Sequence, residues 1–132
     1  MAEPALIMVV DDDADIRHIV ATNLRSIGFE VIEAESGAQA LDLFVSKKPG
    51  IILLDVMMPH MNGIETATKL RALDKEGDLQ LVFLTAHGDI ETFRQSLTVN
   101  ARDFMTKPIT RGELIKRVSL LQTARSLRPP KR

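Results

Sequence analysis

Cysteine, tryptophan and tyrosine are all missing from this sequence of 132 residues, and its aromatic complement is five phenylalanines. Without cysteine there is no disulfide, no thiolate nucleophile and no Cys-based zinc site, a composition compatible with a reducing compartment. Without Trp or Tyr there is no side chain suited to flank a flavin ring, and no evident phosphate-cradling loop stands in for one. Long apolar runs are absent too. The opening MAEPALIMVVDDD lacks a basic n-region and turns acidic at Asp11, so no signal peptide is expected in it. No stretch approaches the ~20 residues of a membrane span. The expectation is a soluble, cytoplasmic protein without membrane contact, long enough for one core without staples.

Excess charge of either sign is lacking, since the formal net charge is −1, but the balance is uneven. Residues 111–132 carry Arg111, Lys116, Arg117, Arg125, Arg128, Lys131 and Arg132 against Glu113 alone, giving +6 there and −7 over residues 1–110. A basic terminus on an acidic body is compatible with an acidic partner. Here it reads as a solvated helix face running into a linker, and direct nucleic-acid binding is not expected.

What is present is a regular alternation of short apolar runs with helical periodicity, the pattern of βαβ units around a parallel sheet. Strands are expected at Ala5–Val10, Phe29–Ala34, Ile51–Leu54, Gln80–Leu84 and about Asp103–Met105. Ile51–Leu54 is uninterrupted and suits a central strand covered on both faces. The first helix should bury Ile16, Ile19, Val20, Leu24 and Ile27 and stop at Gly28, with Asp13 as its cap. Ser36 should cap a helix burying Ala40, Leu41, Phe44 and Val45, and Lys47–Gly50 ends it. A loop with Pro59 and Asn62-Gly63 leads to a helix bearing Ile64, Ala67 and Leu70. A shorter helix carries Ile90, Phe93 and Leu97, and Asn100 suits a left-handed turn after it. Thr110–Ser126 forms the last helix, with Leu114, Val118 and Leu121 toward the sheet, and Pro129-Pro130 ends regular structure. The fold is read as a five-stranded (βα)5 sandwich with helices on both faces and right-handed crossovers.

Four of these apolar runs stop at residues that can do chemistry: LIMVV at Asp11-Asp12, IILL at Asp55, LVFL at Thr85 and DFMT at Lys107. Parallel strands present their C-terminal ends at one sheet edge, where open α/β folds place their ligand sites. Two ionised carboxylates about 4 Å apart repel by roughly 4 kcal/mol at an effective dielectric near 20. Three acids at one edge must therefore hold a cation, pair with a base or keep a proton. Oxygen-only ligands favour a hard ion such as Mg²⁺ over zinc. Taken singly each residue is bland: an aspartate after a strand is commonly a turn or cap residue, and Lys107-Pro108 a loop start.

Taken together, VVDDD at 9–13, LLDVMMPHMNG at 53–63, LTA at 84–86 and DFMTKP at 103–108 resemble, in order and spacing, the receiver domain of bacterial two-component response regulators. The resemblance covers residues 5–124. It implies a flavodoxin-like three-layer sandwich with sheet order 2-1-3-4-5, a receiver over residues 1–126, and a basic Pro-rich tail or truncated linker at 127–132. It implies that Asp55 is the phosphoacceptor, taking a phosphoryl group from a sensor histidine kinase or a histidine phosphotransfer protein. Mg²⁺, or alternatively Mn²⁺, would be held by Asp12, Asp55 and the Met57 carbonyl directly and by Asp11 through water. Lys107 and Thr85 would meet the phosphoryl group, and Phe104, tyrosine in many relatives, would be the packing switch. Met57 and His87 occupy positions that tune phosphoryl lifetime in the family. A downstream effector would bind the face of the fourth helix, fifth strand and fifth helix. Lys107-Pro108 is expected to be cis.

Several residues depart from the family pattern or invite weaker readings. Asp103 and Arg117 match part of a charged network used for phosphorylation-dependent homodimers, but Arg102 and Thr98 stand where acids are usual. After Ser126 only a short tail follows, as in a stand-alone receiver or a chain cut at a linker. His18 and His60 read as surface residues, and Met57, Met58 and Met61 as flexible loop lining rather than a soft-metal site. The rival readings are a metal-dependent phosphatase with an Asp nucleophile, which would need an acid where Asp55-Val56-Met57 has none, and a degenerate receiver acting as a scaffold.

Overall fold

A computed structural model of the chain describes residues 4–86 and 88–127. The elements are β1 (Ile7–Val10), α1 (Ala14–Arg25), β2 (Val31–Ala34), α2 (Gly37–Lys47), β3 (Ile51–Leu54), α3 (Gly63–Leu73), β4 (Gln80–Thr85), α4 (Ile90–Thr98), β5 (Asp103–Thr106) and α5 (Arg111–Ser126). The strands are parallel in the order β2-β1-β3-β4-β5, as expected from sequence. Strand order reverses direction between β1 and β3, and that is where such sheets open a crevice at their C-terminal edge.

Alternation along each strand builds two cores. Ile7, Val9, Ile51, Leu53, Val82 and Leu84 pack with Val20, Ala21 and Leu24 of α1 and Leu114 and Val118 of α5. Met8, Val10, Ile52, Leu54, Leu81 and Phe83 pack with Ala40 and Phe44 of α2 and Ala67 and Leu70 of α3. Both faces of the central strands are thus apolar, which accounts for their unbroken hydrophobic runs. Among the described residues no helix is long and apolar enough to cross a membrane.

Caps set the helix starts. Asp13 accepts from the Asp15 and Ile16 amides, Ser36 from Gln39, and Asn62 forms a reciprocal capping box with Glu65. Lys48 ends α2 in the left-handed region at φ 51°, and Asn100 follows α4 at φ 55°. Lys107-Pro108 is cis. Pro129-Pro130 lies outside the described residues.

The helical faces differ from expectation at several positions. The buried face of α1 centres on Val20, Ala21 and Leu24, so Ile19 projects past it and is 59% exposed, while Ile27 lies beyond the last turn. Val45 is 60% exposed for the same reason, being offset from the inward pair Ala40 and Phe44. In α4, for which no buried face was expected, the apolar stripe points outward. Thr92 and Ser96 face inward, and Ile90, Phe93 and Leu97 are exposed. Periodicity located this helix, and its small polar residues, not its apolar stripe, face the sheet.

Candidate functional site

Register brings the first two acids together. Val10 of β1 pairs with Leu54 of β3, so Asp11 and Asp55 leave neighbouring strands side by side. Asp55 continues the ladder by donating its amide to the Val10 carbonyl at 3.0 Å, and Asp11 donates to Ala34 at 3.1 Å. Because Asp13 caps α1, Asp11 and Asp12 remain at the sheet edge. Asp11 and Asp55 are buried, Asp12 is exposed at the rim, and one carboxylate oxygen from each lies within 4.8 Å of the others.

Lys107 closes the cluster. Its Nζ donates to Asp11 Oδ2 at 2.5 Å and to Asp55 Oδ2 at 3.1 Å, with the side chain mostly buried. Burial works to lower the ammonium pKa, but hydrogen bonding and attraction from both carboxylates outweigh it and hold Lys107 above the ordinary lysine value. Asp11 is pushed up by burial, which outweighs the hydrogen bond from Lys107 and the amide of Asp13. One lysine faces a group of three acids, so the edge retains an appetite for positive charge. The donor set is oxygen only, and it fits a hard divalent ion.

Thr85 is the last residue of β4, fully buried, and its carbonyl accepts the Lys107 amide at 2.8 Å. Thr85 and Phe83 stand two apart, so their side chains leave the same face of the sheet. Phe83 pairs in register with Phe104, which shares that face. The Phe104 ring is half-buried between Phe83, with centroids 6.3 Å apart, and Phe93 of α4, edge-on at 5.6 Å. Met57 donates its amide to Asp55 Oδ1 at 3.3 Å and exposes its side chain. His87 lies outside the described residues. Asp103 and Arg117 pair within the chain at 3.1 Å, and Arg117 also holds Glu113 at 2.8 Å. His18 and His60 are both exposed.

Two supports of the site were not legible in the sequence. Arg17 donates to the Asp11 carbonyl at 2.8 Å and to Glu33 at 3.1 Å, and Arg25 holds the same glutamate at 3.3 Å. Gly63, anticipated only as a turn residue, donates its amide to the Val56 carbonyl at 2.7 Å and brings α3 against the backbone of Asp55. A helix-face arginine gives no signal of its partner, and a glycine none of the close approach it permits.

Glu33 carries a pH dependence. Burial would raise its pKa, but Arg17 and Arg25 outweigh that and hold the carboxyl below the usual glutamate range. Its contribution is therefore complete above that range and is lost as pH falls through the lowered folded value. Glu33→Gln is expected to cost roughly 1 kcal/mol at neutral pH, discounted for partial exposure. Urea unfolding of both proteins should converge as the buffer is taken to acid; a gap that persists there would show that the loss is not electrostatic.

Residues 7–119 match the family model for the response regulator receiver domain. The phosphate regulon transcriptional regulatory protein PhoB of Pseudomonas aeruginosa is 41% identical over 112 residues, covering 85% of this chain and 49% of that protein. A probable transcriptional regulator of Porphyra purpurea is 41% identical over 119 residues, covering 89% and 48% respectively. The chain thus spans about half the length of the curated relatives it matches. Among solved structures, a receiver domain protein from Methanospirillum hungatei superposes with a TM-score of 0.81 at 33% identity, covering 93% of this chain and 98% of that one. The chemotaxis protein CheY4 of Vibrio cholerae gives 0.84 at 28%, covering 89% and 98%. With its sheet order, its acidic edge and these likenesses over nearly its whole length, the chain belongs to the response regulator receiver domain family.

Proposed function

We propose that this domain is a phosphorylation-activated switch in which Asp55 accepts a phosphoryl group from the histidine of a partner kinase or phosphotransfer protein. The observation that carries the reading is the buried Asp55 carboxylate lying beside Lys107 at 3.1 Å within the group formed with Asp11 and Asp12. An Asp55 oxygen attacks phosphorus, the phosphorus–nitrogen bond to the donor breaks, and the imidazole leaves with that electron pair. Asp12, Asp55 and the Met57 carbonyl would hold Mg²⁺ or Mn²⁺ directly, with Asp11 acting through water. A bound divalent ion supplies positive charge to the carboxylates and to the phosphoryl oxygens.

Lys107 then exchanges a carboxylate partner for the phosphoryl dianion, and the Thr85 hydroxyl donates to a phosphoryl oxygen. Because the Lys107 amide is already bound to the Thr85 carbonyl, the two responses are linked through one backbone contact. Withdrawal of Thr85 toward the site frees space on the sheet face it shares with Phe104, and the ring repacks. Phosphorylation thereby shifts a pre-existing equilibrium at the face of α4, β5 and α5, where an effector would bind. Phe104 has no hydroxyl, so the switch works through packing alone. Met57 and His87 are assigned to tuning the phosphoryl lifetime. The span 1–126 is assigned as the receiver unit, working in the cytoplasm beside its kinase.

Acetyl phosphate with Mg²⁺ should add one phosphoryl group, located at Asp55 by peptide mapping. Stoichiometric label on any other residue would overturn the assignment. Sustained release of phosphate from a monoester that depends on Asp55 would instead favour the phosphatase reading. Lys107→Ala is expected to permit slow labelling but to lose most of the change at the Phe104 face, read by amide exchange. An unaltered response in that variant would remove Lys107 from the switch.

A further inference from the structure

Asp12 is the least supported of the three carboxylates at the sheet edge. Asp11 and Asp55 are buried and both accept from Lys107. Asp12 is exposed, and among the described residues no hydrogen bond or ion pair holds its carboxylate. Its place is therefore set by the main chain, which has two soft dihedral angles at each residue. Both peptide groups that flank Asp12 are pinned. The one that follows it donates its N–H, the Asp13 amide, to Asp11 Oδ1 at 2.9 Å. The one that precedes it carries the Asp11 carbonyl, which accepts from Arg17 Nη1 at 2.8 Å. The ladder between β1 and β2 ends with the pair Val10 and Ala34, so this carbonyl lies one residue beyond it, and α1 supplies the donor. Arg17 is itself held in place. Its Nε donates to Glu33 Oε1 at 3.1 Å, and Glu33 takes Arg25 on its other oxygen at 3.3 Å. The Arg17 side chain is only 15% exposed, so the guanidinium is fixed from β2 and aimed at β1.

We infer that Arg17 is a positioning residue for a divalent ion: by holding the Asp11 carbonyl it fixes the backbone of Asp12, and so sets the affinity of the acidic group for the metal. The inference rests on the reading that Asp12 and Asp55 ligate such an ion. Glu33 orients the guanidinium, and Arg17 acts through Asp12 by way of a main-chain oxygen. Outer supports of this kind change metal affinity by roughly 10- to 100-fold when removed. The direction of the effect separates positioning from charge. A guanidinium close to the acids repels a divalent cation, so on charge alone its removal should tighten metal binding. Loss of a positioning contact should weaken it. Lysine keeps the charge but lacks the planar fork that spans the Asp11 carbonyl and Glu33 together.

Titration of the chelator-dialysed chain with Mn²⁺, the free ion being followed by electron paramagnetic resonance, gives a dissociation constant without any phosphoryl donor. The wild-type chain is expected to bind Mn²⁺ and Asp12→Asn to bind it more weakly. Absence of a wild-type site that depends on Asp12 would refute the ligand reading, and the inference would fall with it. Arg17→Met should weaken Mn²⁺ binding about tenfold, and Arg17→Lys by a similar factor. Arg25→Met strips a cation from the same glutamate without touching Asp11, and should bind Mn²⁺ as the wild type does. Unchanged or tighter binding by Arg17→Met would overturn the inference while leaving Asp12 a ligand. An equal loss in Arg25→Met would overturn it as well, by tracing the effect to Glu33 rather than to the Asp11 carbonyl. A merely structural residue would lower the urea midpoint of the metal-free chain and leave the dissociation constant of the folded domain where it was, and that pattern also counts against positioning. Where Arg17→Met does not fold, Arg17→Lys decides: wild-type affinity in that variant removes Arg17 from the metal site.

Discussion

Asp55→Asn is expected to abolish acetyl phosphate labelling at that position while leaving the domain folded. Asparagine keeps the shape of the side chain and its capacity to accept the Met57 amide, but the amide oxygen is a poor nucleophile and carries no charge to share with a metal. Lys107 retains Asp11 at 2.5 Å, so it is not stranded in the buried site. The neighbouring acids are poor substitutes. Asp11 has Oδ1 on the Asp13 amide and Oδ2 on Lys107, and Asp12 is exposed at the rim, away from the lysine contacts. Intact mass after acetyl phosphate treatment reads the result directly, and a melting curve verifies the fold. Labelling of the variant at a wild-type rate would place the acceptor elsewhere and remove Asp55 from the centre of the mechanism.

Gly63→Ala should produce the largest loss of stability from a single methyl group. A Cβ at Gly63 would run into the Asp55 carbonyl oxygen and come within 2.8 Å of Val56 Cα and 2.9 Å of the Asp55 carbonyl carbon. All three are backbone atoms, so no rotamer change can make room. Either α3 lifts off the end of β3 or the acceptor strand shifts. Overpacking of this kind costs about 3 kcal/mol or more. Because the atoms displaced belong to Asp55, labelling should also slow, by up to about a hundredfold for a misplacement near 1 Å. Gly112→Ala is the control. It lies in α5 with nothing near the new methyl, and is expected to stabilise by up to about 1 kcal/mol. Urea midpoints and labelling rates for the two variants separate close approach from general intolerance of alanine. Equal, small effects would show that α3 adjusts freely and that Gly63 does not position the acceptor.

Element order and the site edge were legible because each depends on local patterns that strand alternation makes plain, whereas the sheet order followed from the family resemblance. Ile51–Leu54 reads as a central strand, and it is one. Asp13, Ser36 and Asn62 occupy cap positions with side chains that accept helix amides. Strand starts were placed two residues early at Ala5 and Phe29, where apolar side chains pack against the core outside the ladder. The face of α4 was not legible, because a hydrophobic stripe signals the core only if nothing else claims the inward side. Here small Thr92 and Ser96 lie closest to the sheet. Arg17 and Arg71 were passed over for a different reason. Both hold main-chain carbonyls, and a carbonyl leaves no imprint on the sequence.

The site also has an order of assembly. Lys107 and Asp11 are separated by 96 residues, and the lysine follows the strand at the far edge of the sheet. During synthesis Asp11, Asp12 and Asp55 emerge well before it, as an acidic cluster without its cation. Asp55 gains its lysine partner only once β5 has paired with β4 and the Thr85 carbonyl has captured the Lys107 amide. A nascent chain therefore displays Asp55 without the lysine that meets it in the folded domain. On the proposed function, reception of a phosphoryl signal would be a property of the finished domain.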